Sequence, residues 1–313
     1  MSTDDTARAA LDALGITFLE RGWLSANNCV ITGDGPSAVV DTGYGSHAPQ
    51  TLDLVRHALQ GRDLDLIVNT HLHSDHCGGN AILQAHWPGC TTSVPPGQWD
   101  AVQRWDAVAL TYEPTGQECP RFTAQQRLQP GTELPLGGWR WEVHAAPGHD
   151  PHSVILFQPA HRVLISADAL WQNGFGVVFP ELEGVDAFDE VGQTIDVIES
   201  LQPAVVIPGH GSVFTDIAPA IARARSRLVQ FSSAPDRHRR YAAKVLIKYR
   251  LLEWQRIEFD ALLAWVGRTP YLASLMTAHA TDAPAQERWL GGLLDELEKS
   301  GALERQGDTI LNR

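Results

Sequence analysis

Residues 71–76 read His71-Leu72-His73-Ser74-Asp75-His76, directly after the apolar run Leu64 to Val68. Four side chains of metal-ligand type thus stand together where a buried strand should give way to a loop. Neutral imidazole and carboxylate are what a borderline divalent ion such as zinc accepts. On a strand, His71 and His73 share a face; on a tight loop, Asp75 and His76 can turn toward a second centre. One segment can therefore serve two neighbouring ions. A polar, His-rich turn is the plainer reading, and the rest of the chain weighs against it.

Further ligand-type residues recur in the same context. The alternating run Trp139 to Ala146 breaks into Pro147-Gly148-His149. Val163 to Ser166 runs into Ala167-Asp168, and Ala204 to Ile207 into Pro208-Gly209-His210-Gly211. A glycine before His149 and before His210 lets the backbone turn sharply and present the imidazole. A lone Pro-Gly-His is more often a turn. Four strand ends that all carry ligand-type residues are hard to attribute to turns.

In this order, His-Xaa-His-Xaa-Asp-His, a Gly-His, an Asp and a Gly-His-Gly resemble the metallo-β-lactamase superfamily. Asp41-Thr42-Gly43, after Ala38 to Val40, resembles that family's early Asp-Thr-Gly. The resemblance spans roughly residues 20 to 215. It implies an α/β (α+β) fold, a four-layer αββα sandwich. It also implies two divalent metal ions: His71, His73 and His149 on one, Asp75, His76 and His210 on the other, with Asp168 bridging. Asp75 and Asp168 would be the catalytic carboxylates. Asp41 would support the ligand loop from behind, or be an ordinary strand-end aspartate. Zinc suits these ligands best, and iron and manganese accept similar sets.

Two close divalent ions lower the pKa of a bridging water and polarise a carbonyl or phosphoryl oxygen. The developing oxyanion is stabilised in the same place. The expected reaction is hydrolysis, and no Gly-Xaa-Ser-Xaa-Gly occurs to supply a serine nucleophile. Family members with a redox di-iron centre usually carry Glu at the position of His73, which favours hydrolysis here. The homoserine-lactone lactonase branch has a Tyr soon after the bridging Asp; here Ala169-Leu170-Trp171 follows Asp168. Glyoxalase II binds glutathione with basic residues of its C-terminal part, and the C-terminal part of this chain reads differently. No large inserted cap domain of the nuclease branch is evident.

The chain has 313 residues, 43% of them apolar, which suits one large domain plus a small one. No apolar run approaches the roughly 20 residues that span a bilayer. The start, Met1-Ser2-Thr3-Asp4-Asp5, is acidic and unlike a signal peptide, so a cytoplasmic protein is expected. Cys29, Cys77, Cys90 and Cys119 show no close pairing and are expected to be thiols. Cys77, beside His76, is expected to be a packed small residue rather than a ligand.

Strands are expected at Leu66 to Asn69, Thr91 to Val94, Trp139 to His144, Ser153 to Phe157, Arg162 to Ser166 and Val205 to Ile207. Residues 6 to 14 and Asp189 to Leu201 read as helices. Residues 95 to 130, with Trp99, Trp105, Tyr112 and Phe122, are irregular: a lid, or a surface excursion packed by its own aromatics. From about residue 216 the chain turns helical, through Ile217 to Val229, Arg237 to Trp254, Phe259 to Val266, Tyr271 to Ala278 and Pro284 to Leu297. A hairpin around Gly307-Asp308 follows, and the set resembles a winged-helix domain. The expected domains are 1–222, the dinuclear hydrolase, and 223–313, a helical linker with a winged-helix-like unit.

Charge divides along this boundary. Residues 1–222 hold 9 basic and 26 acidic side chains; residues 223–313 hold 15 and 11. An acidic body argues against a broad phosphate-binding face. The bases Arg237, Arg239, Arg240, Lys244, Lys248 and Arg250 are read as a solvated helix face, with anion contact the alternative. Three functions follow from these residues. The first is hydrolysis of a small ester, thioester or lactone, marked by an enclosed, aromatic-lined pocket. The second is a single-strand endoribonuclease or phosphodiesterase, marked by an electropositive groove. The third is a non-enzymatic, metal-sensing winged-helix regulator, which requires a damaged ligand set. A small-molecule partner is expected rather than nucleic acid or membrane, and the C-terminal unit could cap the site or join a homodimer.

Overall fold

The computed structural model describes residues 3–313. Met1 and Ser2, part of the acidic start read above, lie outside the described residues. The first sheet runs in chain order: β1 (Ile16–Leu19), β2 (Asn28–Ile31), β3 (Ala38–Val40), β4 (Leu66–Val68), β5 (Thr91–Val94) and β6 (Gln126–Arg127). Its first three strands pair antiparallel and the rest parallel. The second sheet holds β7 (Glu133–Leu136), β8 (Trp139–Ala145), β9 (Val154–Gln158), β10 (Val163–Ala167) and β11 (Val205–Pro208), ordered β11-β10-β9-β8-β7. Only β10 and β11 pair parallel there.

Successive side chains of a strand point to opposite faces, and the cores divide accordingly. Cys29, Ile31, Val40 and Val68 meet Trp141, Val143, Leu156 and Ile165 between the two sheets. Their neighbours Val30, Val39 and Ile67 pack outward against helices Ala48–Leu59 and Asn80–His86. On the other sheet, Ile155, Phe157, Leu164 and Val206 pack against helices Phe188–Leu201 and Ile217–Ser233. Helix, sheet, sheet, helix is the αββα sandwich.

A third core lies in the C-terminal part. Helix Pro235–Trp254 packs with helices Phe259–Arg268, Pro270–Thr277 and Ala283–Lys299. Leu290, Leu293, Leu294 and Leu297 supply the buried stripe of the last helix. The hairpin turns at Gly307-Asp308 between β13 (Leu303–Gln306) and β14 (Thr309–Asn312), and β12 (Arg256–Glu258) adds a third strand beside β14. Position 222/223 falls inside helix Ile217–Ser233, whose buried residues Ala220, Ile221, Ala224 and Phe231 belong to the outer core of the second sheet. The third core begins at Ala243. The two parts touch directly: Tyr249 donates its hydroxyl to the Leu24 carbonyl at 3.1 Å.

The segment 95–125 folds over the ligand loop. Val102, Leu110, Tyr112 and Phe122 share a core with Leu72 and Cys77, and Trp105 packs edge-on against Phe122. It is packed by its own aromatics, and its Thr115 and Gln117 reach the cavity described next. No helix among the described residues is long and apolar enough to cross a membrane.

Candidate metal centre

The ligand-type residues all leave strand ends on one edge of the sandwich: His71, His73, Asp75 and His76 after β4, His149 after β8, Asp168 after β10 and His210 after β11. Glycines permit the close approach. Gly148 sits at φ +129°, and a Cβ there would lie 2.6 Å from Val191. A Cβ on Gly209 would lie 2.2 Å from the Asp168 carboxylate.

The structure brings these seven side chains together in three overlapping groups: His71, His73 and His149; His71, His76 and Asp168; Asp75, His76 and His210. Within each group the ligand atoms lie within 4.8 Å of one another. His149 Nε2 is 2.9 Å from His73 Nδ1, and His210 Nε2 is 3.1 Å from Asp75 Oδ2. Asp168 stands between the two ends. Its Oδ1 is 3.5 Å from His76 Nε2 and its Oδ2 is 3.3 Å from His149 Nε2.

Outer contacts aim the rings. Asp41, at φ +56°, accepts from the Thr70 amide at 2.9 Å, from the Thr70 hydroxyl at 2.8 Å and from His76 Nδ1 at 2.8 Å. His149 Nδ1 donates to the Val177 carbonyl at 2.5 Å. With the Nδ1 atoms so engaged, the Nε2 atoms of His76 and His149 face the cluster. His71 Nε2 and His76 Nε2 are buried with no hydrogen-bond partner. A buried nitrogen without a partner is costly unless something completes it, and a divalent ion fits this donor set.

The electrostatics agree. Burial, then the neighbouring imidazoles, holds His71 well below its ordinary pKa, and burial, then His149, pushes His73 down to about 4. Burial also lowers His149, against the pull of Asp168. Burial opposes ionisation of Asp168, yet His76 and His210 outweigh it and hold that carboxyl well below the usual range. Asp75 is lowered in the same way. His76 alone goes up: burial opposes its charge, and Asp41, Asp168 and Asp75 outweigh that. Ionised carboxylates beside neutral imidazoles are the protonation states that metal binding requires; His71, His73 and His149 meet this, whereas His76 would have to release its Nε2 proton to an incoming ion.

Cys77 points away from the cluster. Its sulfur lies 3.2 Å from the Tyr112 hydroxyl and 3.7 Å from Cys119 Sγ. Several neighbours were not evident from sequence. Trp171 Nε1 donates to Asp168 Oδ1 at 3.2 Å. Trp23, 57% exposed, stacks on His210 with ring centres 5.2 Å apart. Asp150 Oδ2 lies 3.7 Å from His73 Nε2. The Asp after Pro-Gly-His was the only sequence signal among these, since a lone tryptophan on a loop carries none.

A cavity of about 550 Å³ opens on His73, Asp75, His149, Asp168 and His210. Its walls include Trp23, Trp171, Phe179, Tyr249 and Leu252, and helix Pro235–Trp254 closes one side.

Comparison with known proteins agrees with this architecture. The metallo-beta-lactamase superfamily model matches residues 21–210. A hydroxyacylglutathione hydrolase of Stenotrophomonas maltophilia is 31% identical over 48% of this chain and 48% of its own length. The thioesterase pkgB of Emericella nidulans is 25% identical over 66% of this chain and 52% of its own. The chain thus spans about half the length of these curated relatives. A metallo-beta-lactamase family protein of Thermus thermophilus shares the fold at TM-score 0.55 and 20% identity, over 95% of this chain and 98% of that one. This chain belongs to the metallo-beta-lactamase superfamily.

Proposed function

We propose that the protein hydrolyses a small acyl substrate, a thioester or ester with lactones chemically allied, at a dinuclear metal centre. The cavity carries this reading. Its volume of about 550 Å³ suits a small ligand, and most of the surface it exposes is apolar. A single strand of nucleic acid needs an open cationic track instead. The basic helix does not provide one. Arg240 and Lys244 share Glu296, Arg250 pairs with Glu253, and Lys248 donates to the Ala302 carbonyl and Asn312 Oδ1. Relatives that hydrolyse thioesters by name support the acyl reading.

His71, His73 and His149 would hold one ion, Asp75, His76 and His210 the other, and Asp168 would reach both. Such a pair supplies an acidified water and a polarised acyl carbonyl. The chain supplies the rest. Asp41 and the Val177 carbonyl fix the orientation of His76 and His149. Trp171 holds the Asp168 carboxylate. Asp75 and Asp168 both face the cavity, where a carboxylate oxygen can take up the proton released when water adds and return it to the leaving group. The C-terminal unit, read as winged-helix-like, serves as a wall of the pocket.

The test is turnover by zinc-, iron- or manganese-loaded protein on S-acyl thioesters, aryl esters, lactones, β-lactams, bis(p-nitrophenyl) phosphate and an RNA oligonucleotide. Thioester or ester hydrolysis that EDTA abolishes is expected. Cleavage of RNA or the phosphodiester without acyl turnover would replace this reading by the nuclease one.

A further inference from the structure

Arg227 faces the same cavity. Among the described residues it enters no ion pair, whereas Arg225, two positions earlier on the same helix, bonds Asp196 and Glu199 at 2.7 and 2.6 Å. The Arg227 guanidinium is set in place by uncharged groups. Its Nη1 donates to the Phe175 carbonyl at 3.1 Å. Its carbon lies 5.4 Å from the centre of the Tyr241 ring. It lies against Gly174, at φ +127°, where a Cβ would come within 2.7 Å of the guanidinium carbon. The loop therefore has a glycine where this cation needs room.

The position is tied to the reaction centre through a short run of backbone. Phe175, which accepts from Arg227, precedes Gly176, whose amide donates to the Asp168 carbonyl at 3.0 Å. Tyr241 lines the same wall, and the Asp168 charge acts on its phenol, as does Arg227. Guanidinium offers five donors in a planar fork. With one donor committed to Phe175 and the Tyr241 phenol beside another, donors of the fork remain for a ligand oxyanion. A half-buried cation without a carboxylate partner is poorly compensated within the chain, and a bidentate anion compensates it well. The two cavity lysines do not compete for this role: Lys244 is bound to Glu296 at 2.8 Å, and all three Lys248 donors are taken, by the Ala302 oxygen, Asn312 Oδ1 and the Arg313 oxygen.

We infer that Arg227, with Tyr241 beside it, is a specificity-determining subsite for an oxyanion carried by the substrate, a carboxylate or phosphate on the arm that does not react. This rests on the acyl-hydrolase reading and narrows it to acidic thioesters or esters. Neutral acyl compounds should be poor substrates.

The experiment compares acetyl thioesters of N-acetylcysteamine, 3-mercaptopropionate and 4′-phosphopantetheine, which are neutral, carboxylate-bearing and phosphate-bearing. A succinyl thioester of N-acetylcysteamine places the carboxylate on the acyl side instead. The readout is the ratio of kcat/KM for each anionic member to that for its neutral counterpart. It should exceed unity by roughly tenfold to a hundredfold for at least one anionic member, as expected of a charge-assisted bond. It should fall to near unity in Arg227→Gln and recover in part in Arg227→Lys. The member that shows the effect separates carboxylate from phosphate and acyl arm from leaving arm. Ratios near unity in the wild type, or equal in wild type and Arg227→Gln, would overturn the inference. Binding supplies a second readout without turnover. The stable ketone analogue 3-(2-oxopropylthio)propanoate and its phosphate-bearing counterpart are titrated by calorimetry into wild type, Arg227→Gln and Tyr241→Phe. A tenfold or larger loss of affinity in Arg227→Gln sustains the subsite even if no thioester is hydrolysed. Affinities for both analogues that are equal in wild type and Arg227→Gln sink it even if thioesters are.

Discussion

Replacing Asp41 by Asn should weaken one metal site more than the other. Asp41 sits at φ +56°, a region that Asn tolerates as well as Asp, so the substitution adds no backbone strain. The Asn carbonyl can still accept from the Thr70 amide. Its NH₂ group then faces His76 Nδ1, where a carboxylate oxygen now accepts at 2.8 Å. Two donors cannot share that contact, so Nδ1 must give up its proton and Nε2 must carry it. A protonated Nε2 has no lone pair for a metal. The site of Asp75, His76 and His210 loses its central ligand or must reorient it. Loss of an outer-shell partner of this kind costs about tenfold to a hundredfold in affinity, roughly 1.4 to 2.7 kcal/mol.

The site of His71, His73 and His149 should suffer less. Its link to Asp41 runs only through the Thr70 hydroxyl, 3.2 Å from His71 Nδ1. The assay is competition for zinc against a chromophoric chelator, resolved into two binding steps. Asp41→Asn should shift one step by one to two decades and the other by much less. Equal shifts in both steps, or none, would refute the supporting role and leave Asp41 as a strand-end aspartate.

Protein purified without chelator should carry about two first-row metals per chain by elemental analysis. Asp168→Ala should lose one of them and nearly all hydrolysis while its melting temperature stays close to that of the wild type; retained stoichiometry and rate would refute bridging. His238 is fully buried, its Nε2 accepts from the Val178 amide at 3.0 Å, and burial, then Arg239, holds its pKa down at about 4. A group depressed on folding makes the unfolded chain the better proton binder, so its contribution is complete above about pH 6.5 and is lost as pH falls toward 4. Between pH 7 and 5 the wild type should therefore lose roughly 2 kcal/mol more than His238→Gln in urea unfolding, and parallel profiles would refute a neutral His238. RNA and single-stranded DNA should bind weakly in gel-shift titrations at several salt concentrations, and submicromolar, steeply salt-dependent binding would restore the nuclease reading.

How much of this could be read from sequence depends on whether a signal survives without tertiary context. His71 to His76 is readable because ligand chemistry is concentrated in a few adjacent residues. The alternation at Trp139 to His144 is readable because Trp141 and Val143 are buried while Arg140 and Glu142 are not. Strand β2 offers no such contrast: all of Asn28–Ile31 is buried, and the Asn28 amide is satisfied by backbone carbonyls, those of Ala26 and Asp41. Helix Ala48–Leu59 turns Thr51 inward, where its hydroxyl accepts from Arg21 at 2.9 Å, so a polar residue interrupts the apolar stripe. Arg227 is the sharpest case. Arg223, Arg225 and Arg227 recur every second residue, and on a helix such residues point in different directions. Arg223 donates to the Gln172 carbonyl at 2.7 Å, Arg225 pairs with two carboxylates, and Arg227 enters the cavity with none. In the sequence the three are alike. Arg223 and Arg227 both bond a backbone carbonyl and no carboxylate among the described residues; what distinguishes Arg227 is that it does so facing the cavity, and only the folded chain shows where each base points.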